Sequence, residues 1–301
     1  MVFLLRIGAS LCLAASLMSG QARPVVKFEG KCTAELVQSL SLPCSTDEPC
    51  PLFLELGGAE VLASRLILTG NLHTGSQTVE SLLLISDDDG RTWTEAHPRL
   101  PAVVLDQIQF FDFEYGWING HTLQTTPKDA FFLLSTDGGK TWHRRPVTSE
   151  ARTGAVEQFW FDSRTHGTLS LDRVRAAEGG FRYEIWESLT GGESWSVRQV
   201  DAKPVSFTRP VREAILRVRT DRDGKTHRLE RREGPRWVQA AAFAVSAGEC
   251  KPPLAEVDRE PPPPAEEPAK PVTNSTSTGE LKLGTDGVAR PAEAPKPKKK
   301  E

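Results

Sequence analysis

Beyond its first 22 residues the chain has no apolar run long enough to cross a bilayer, which needs roughly 20 apolar residues. No membrane span is expected. The chain also lacks a strong excess of either charge. Its 37 Lys and Arg stand against 40 Asp and Glu, a net of −3, so no nucleic-acid partner is expected. No CxxC pair and no H-E-x-x-H motif occurs, and no His lies near the N-terminal cysteines, so neither metal nor cofactor is expected. Tyrosine is scarce: only Tyr115 and Tyr183 are present.

The ends are unlike the middle. Arg6 followed by the apolar run Ile7 to Met18 and the small residues around Gly20 and Ala22 reads as a signal peptide over 1–22. The product is expected outside the cytoplasm, periplasmic or extracellular. From 251 to 301 the chain turns to Pro, Glu, Ala and Lys, with four prolines at Pro261 to Pro264. A disordered tail is expected there, because little apolar surface remains to offset the entropy of ordering. Residues 23–50 carry three of the four cysteines that follow the signal stretch: Cys32, Cys44 and Cys50, with Cys250 closing the folded part. Four cysteines allow three pairings. Cys32 with Cys250 and Cys44 with Cys50 is preferred, and the other two remain open.

Residues 51–250 are organised by a repeat. Ser86-Asp87-Asp88-Asp89-Gly90-Arg91-Thr92-Trp93 returns as Ser135-Thr136-Asp137-Gly138-Gly139-Lys140-Thr141-Trp142, 49 positions later. A degraded copy, Ser188-Leu189-Thr190-Gly191-Gly192-Glu193-Ser194-Trp195, follows after another 53. In such a turn Asp88 or Asp137 accepts backbone N–H groups, Gly90 or Gly139 supplies a positive φ, and Thr92 or Thr141 starts the outgoing strand. Trp93, Trp142 or Trp195 then covers the hairpin. Strand-like runs lead into each copy, and Ala214 to Trp237 alternates as a fainter fourth unit around the Asp223-Gly224 turn. The expected fold is all-β: a small propeller of about four antiparallel four-stranded blades, monomeric.

The octapeptide is the Asp-box pattern, and the chain resembles the BNR/Asp-box repeat propellers. The stretch Phe110 to Gly120, with Tyr115-Gly116-Trp117-Ile118-Asn119-Gly120, followed by Leu134 to Trp142, is similar to the photosystem II stability and assembly factor-like family. Sialidases and sortilin-type receptors share the pattern more distantly. The resemblance implies a blade architecture and marks function poorly, because propellers host many activities.

A sialidase-like site needs an arginine trio, a Tyr with a Glu beside it and an acid Asp. Glu114–Tyr115 and Glu184–Tyr183 are adjacent pairs, but the F/Y-R-I-P motif is missing, and no enzyme is expected. The run Asp87-Asp88-Asp89-Gly90 fails the alternation of a calcium loop and reads as a turn. From Asp201 to Trp237 there are eleven Lys and Arg against six Asp and Glu. This is either a solvated outer face or a patch for an acidic protein or an envelope polymer, with Arg209, Arg212, Arg217, Arg219, Arg228, Arg231 and Arg232 as members. Trp117, Trp160 and Trp186 read first as blade packing. Tyr115 and Trp160 are the aromatics expected at a ligand if any are. The functional expectation is a scaffold that binds a protein partner through a propeller face, centred on Arg217, Arg219, Arg231 and Arg232. A sialidase-like glycan-binding or glycan-cleaving propeller is the alternative.

Overall fold

The computed structural model describes residues 23–251, apart from 124, 176–178 and 212. The signal-peptide expectation at 1–22 and nearly all of the tail expectation lie outside the described residues. No helix among the described residues is long and apolar enough to cross a membrane.

The protein is a four-bladed β-propeller. Strand β1 (Val25–Val26) and a one-turn-and-a-half helix α1 (Ala34–Ser39), capped by the Thr33 hydroxyl, precede the blades. Blade one holds β2 (Cys50–Leu62), β3 (Arg65–His73) and β4 (Thr78–Ser86), with the short β5 (Thr94–Glu95) and β6 (Leu100–Pro101) both on β4. Blade two holds β7 (Val103–Phe110), β8 (Gly116–Leu123), β9 (Pro127–Ser135) and β10 (His143–Pro146) in sheet order. Blade three repeats this with β11 (Ala155–Phe161), β12 (Gly167–Asp172), β13 (Tyr183–Ser188) and β14 (Ser196–Asp201). Blade four holds β15 (Leu216–Thr220), β16 (Thr226–Glu233) and β17 (Arg236–Ala244), and β18 (Ser246–Cys250) returns to β2.

The two ends of this chain stretch meet. β1 adds to β17 in parallel register, Val25 opposite Ala242, and so becomes the fourth strand of blade four. β18 pairs antiparallel with the start of β2 in blade one. Cys32 is bonded to Cys250 and Cys44 to Cys50, with Cα separations of 5.0 and 5.2 Å, which is the preferred pairing. Such bonds persist in oxidising compartments.

Each octapeptide turn folds alike because its polar groups saturate one another. Asp137 Oδ1 accepts the Lys140 and Thr141 N–H groups at 3.0 and 2.9 Å, and its Oδ2 accepts the Thr141 hydroxyl at 2.6 Å. The Ser135 hydroxyl donates to Asp137 and accepts the Gly139 N–H. Asp88, Ser86 and Thr92 make the same set in blade one. Thr190 substitutes its hydroxyl in blade three and accepts the Ser194 N–H at 2.9 Å. Gly90 and Gly139 have φ of 83° and 79°, where a side chain would be strained. Asp88 and Asp137 thus each accept four hydrogen bonds within their own turn, the work of a turn residue.

The turns also join blade to blade. The carbonyl of the residue before each second glycine position accepts a donor from the preceding blade. Arg65 of blade one donates to Gly138 O at 2.9 Å, and Trp117 of blade two to Gly191 O at 2.7 Å. Arg23, beside β1 on blade four, donates to Asp89 O. Buried amides add inner stitches. Asn71 exchanges two hydrogen bonds with the Leu105 backbone, and Gln109 two with the Phe161 backbone. Trp117 stacks on Phe161 across the junction, centroids 3.8 Å apart.

Candidate functional site

One face of the propeller carries the octapeptide turns and, near the axis, an apolar groove of about 530 Å³. Three elements form it. The end of β2 supplies Val61 and Leu62, the β7–β8 loop supplies Phe111 and Phe113, and the approach to β15 supplies Glu213 to Leu216.

The β7–β8 loop is held rigidly. Asp112 Oδ1 accepts the Glu114 and Tyr115 N–H groups, both at 2.9 Å, and Oδ2 accepts Arg164 Nε at 2.7 Å. Burial pushes the Asp112 carboxyl up, but those donors outweigh it and hold it below the usual range. Arg164 also bonds Glu114 and lies over the Tyr115 ring at 4.3 Å. The Gly138 N–H donates to Glu114 O at 2.9 Å, so the second octapeptide turn braces the loop. Held this way, the loop turns Phe113 outward at 73 % exposure and Phe111 at 39 %. Ile215 at 52 % lies on the opposite wall. Three large apolar side chains exposed around one groove are a contact surface rather than scattered background.

The opposite ends of the inner strands are polar. Glu55 of β2, Asp106 of β7 and His121 of β8 converge there. His121 Nδ1 lies 3.7 Å from Asp106 Oδ2 and makes no hydrogen bond. Burial, with the nearby Glu55 charge, pushes Asp106 up to about 6, and burial pushes His121 down to about 4. Glu55 and His73 also line a shallow cavity of about 340 Å³ with Thr74 to Thr78. A third cavity, about 380 Å³, lies between the β10–β11 loop and the third turn, with Arg152, Trp186 and Trp195 in its wall. Trp93 and Trp142 each donate their indole N–H to a glycine carbonyl of their own turn, whereas Trp195 Nε1 has no hydrogen-bond partner.

The arginines singled out in the sequence do not form one free patch. Arg217 pairs with Glu230 at 2.6 Å and covers the Trp237 ring at 4.2 Å. Arg231 pairs with Asp89 of the first turn, Arg232 with Glu213, and Arg228 with Asp221. Arg209 reaches Gln107 near the axis. Arg212 lies outside the described residues. Arg219 alone of the central four has neither ion pair nor hydrogen bond among the described residues. Tyr115 belongs to the loop that carries Phe111 and Phe113, and Trp160 is half-buried on β11. Sequence reasoning missed Phe111, Phe113 and Ile215. The available signal was two phenylalanines in a five-residue turn, where a strand end needs neither.

No family model matches the chain. A vacuolar protein sorting/targeting protein 10 from Schizosaccharomyces japonicus is 29 % identical over 157 residues, covering 46 % of this chain and 10 % of that protein. The chain thus spans about a tenth of that relative's length. Among solved structures, a Penicillium chrysogenum α-L-arabinanase aligns over 63 % of this chain and 60 % of its own, at 16 % identity and TM-score 0.33. A Xanthomonas campestris GH74 xyloglucanase aligns over 62 % and 29 %, at 12 % identity and TM-score 0.32. A Fusarium graminearum α-L-arabinofuranosidase aligns over 62 % and 58 %, at 16 % identity and TM-score 0.32. The likeness is to propeller proteins of the sorting and glycoside-hydrolase kinds. These comparisons support the propeller architecture and do not by themselves show the finer photosystem factor-like resemblance. The expectation that the chain is no enzyme is corrected by these structures. All three neighbours are glycoside-cleaving proteins, so this architecture gives no ground for excluding catalysis, and at this level of similarity it assigns none.

Proposed function

We propose that the protein binds a protein partner through the turn-bearing face of the propeller, with the groove of Phe111, Phe113 and Ile215 as its contact centre. The observation that carries this is the rigid display of Phe113. A 73 % exposed phenylalanine on a loop fixed by Asp112, Arg164 and the second turn loses little conformational freedom on binding. Aromatic anchors beside an apolar groove are what interface cores use. The sequence resemblance to assembly-factor-like propellers supports the same reading, and the two disulfides support an exported location, periplasmic or extracellular.

The test is affinity capture from envelope extracts followed by mass spectrometry. The wild type is compared with a Phe111→Ser, Phe113→Ser, Ile215→Ser variant and with an Arg217→Ala, Arg219→Ala, Arg231→Ala, Arg232→Ala variant. One protein retained by the wild type and lost by the first variant supports the groove. Loss only in the arginine variant moves the contact to blade four and overturns the groove.

A second reading has one observation in its favour. The lining of the third cavity, Trp186 and Trp195 with Arg152, suits the apolar faces and hydroxyls of a saccharide. Retention of a glycan or wall polymer, with no protein recovered, would put this reading first.

A further inference from the structure

Among the described residues blade four has no innermost strand. In the first three blades the chain runs along the axis as β2, β7 or β11 and then turns back outward as β3, β8 or β12. β15 corresponds to the returning strand. Its start lies in the groove beside the ends of β2 and β7. Its far end lies at the opposite side, where Thr220 bonds His227 and His227 Nε2 bonds Leu54 O at 2.8 Å. The innermost position falls to the preceding segment, and residues 204–211 form no strand. That segment is tied instead to blades two and three. Gln158 Nε2 donates to Phe207 O at 3.4 Å, and Arg209 donates to Gln107 Oε1 at 3.3 Å. Pro204 and Pro210 carry no N–H for a ladder. Among the described residues β15 pairs with β16 on one side and has no backbone partner on the other.

An independent observation on blade three points to the same missing strand. Leu66, Gly116 and Gly167 each face the first serine of their blade's turn: Ser86, Ser135 and Ser188. Three residues further on stand Thr69, Asn119 and Ser170. Thr69 Oγ1 donates to Asp106 O at 2.8 Å and Asn119 Nδ2 to Val156 O at 3.4 Å, each reaching the innermost strand of the next blade. Ser170 is 1 % exposed, and its hydroxyl has no partner. The strand it would reach belongs to blade four.

We propose that the unpaired edge of β15 receives an extended segment of the partner protein, which adds to it as the innermost strand of blade four. The proposal rests on the reading that the turn-bearing face binds a protein, because the groove opens at the β15 end of the slot. The chemistry of β15 specifies the segment. Leu216 and Val218 pack against the core shared by blades one and four, and Arg217 and Arg219 lie on the alternate side. Arg217 is spent on Glu230 and Trp237, whereas Arg219 has no counter-charge among the described residues. A segment that alternates apolar and acidic residues satisfies both sides. It places apolar residues toward the core and a carboxylate beside Arg219, and its backbone hydrogen bonds to β15.

The probe is a fluorescein-labelled nine-residue peptide alternating valine with glutamate, and its control alternates valine with lysine. Anisotropy with the purified protein is expected to saturate for the glutamate peptide only. Amide exchange is expected to slow at 216–220. Arg219→Glu is expected to lose the glutamate peptide by ten-fold or more and to gain the lysine peptide. Pro204→Val with Pro210→Thr restores two N–H groups to the chain's own segment and is expected to weaken peptide binding ten-fold by competition. Absence of saturable binding, binding without protection at 216–220, or an unchanged preference in Arg219→Glu overturns the slot. The two readings fail separately. Partner capture that depends on Phe113 while 216–220 exchange freely leaves the groove and overturns the slot. A peptide that protects 216–220 with no Phe113-dependent capture does the reverse.

Discussion

The indole N–H of Trp117, in blade two, donates at 2.7 Å to the carbonyl of Gly191, in the turn of blade three. Arg65 holds the same relation to Gly138 one blade earlier. Each turn is thereby a fastener for two blades as well as the end of its own hairpin. Trp117→Phe keeps the stack on Phe161 and removes only the donor, so a loss of about 1 kcal/mol is expected from denaturant unfolding. Trp117→Ala also empties buried volume and is expected to cost about 3–5 kcal/mol. Equal losses in the two variants would show that the hydrogen bond, not the stack, dominates the junction.

The turn carboxylates predict an asymmetry between blades. Asp137→Ala strands two N–H groups and the Thr141 hydroxyl, and about 1–2 kcal/mol of stability is expected to go with it. Thr190→Asp supplies the missing carboxylate in blade three and is expected to raise the unfolding midpoint. Burial pushes Asp137 up, but the Thr141, Ser135 and Lys140 donors outweigh it and hold the carboxyl at about 2. Its folded pKa is below its unfolded one, so its contribution is present above about pH 4 and is lost as pH falls through 2. Thermal unfolding at pH 7 and pH 2 on wild type and Asp137→Ala measures this directly, with the two curves converging at the acid end.

Asp106 and His121 make opposite contributions over one pH interval. The raised Asp106 binds its proton more tightly in the folded state, so stability from it grows as pH falls through about 6. The lowered His121 binds its proton less tightly when folded, so stability is lost as pH falls from about 6.5 through 4. The wild type is therefore expected to have a flat profile between pH 6.5 and 4. Asp106→Asn leaves His121 unopposed, and its melting temperature is expected to fall over that interval. A flat profile in this variant would mean that His121 does not titrate as its burial requires.

The two disulfides differ in the length of chain they constrain. Cys32 and Cys250 are 218 positions apart, and Cys44 and Cys50 only 6. Chain-entropy reasoning gives roughly 5 kcal/mol for the first and roughly 2 kcal/mol for the second. Cys32→Ser with Cys250→Ser is expected to lower the melting temperature more than Cys44→Ser with Cys50→Ser. The reverse order would place the main constraint in the N-terminal loop.

What the sequence disclosed was local. The octapeptides could be read because Ser, Asp, Gly, Thr and Trp act within eight residues of one another, and the turns they form mark three of the four blades. The preferred cysteine pairing was legible because one cysteine stood alone at the far end. The groove was not, because Phe113, Leu62 and Ile215 come from three blades and meet only once the ring exists. The arginine cluster looked like one surface because it is dense in sequence. In space, Arg231 belongs to the first turn through Asp89, and Arg217 lies flat on Trp237. The unpaired edge of β15 depends on strand direction, which composition and spacing do not encode. Asp106 and His121 carried no signal at all, since only burial makes them unusual.

The pairing of Val25 with Ala242 also has a consequence in time. Synthesis delivers β1 before every other strand of the ring and β17 after all of them but β18. Until β17 is made the first strand has no partner, and the Cys32–Cys250 bond waits for Cys250. Ring completion must therefore follow release of β1 through β18, and the earlier blades must wait with one flank uncovered. In a cell, that interval is when a holding chaperone would have the most to protect.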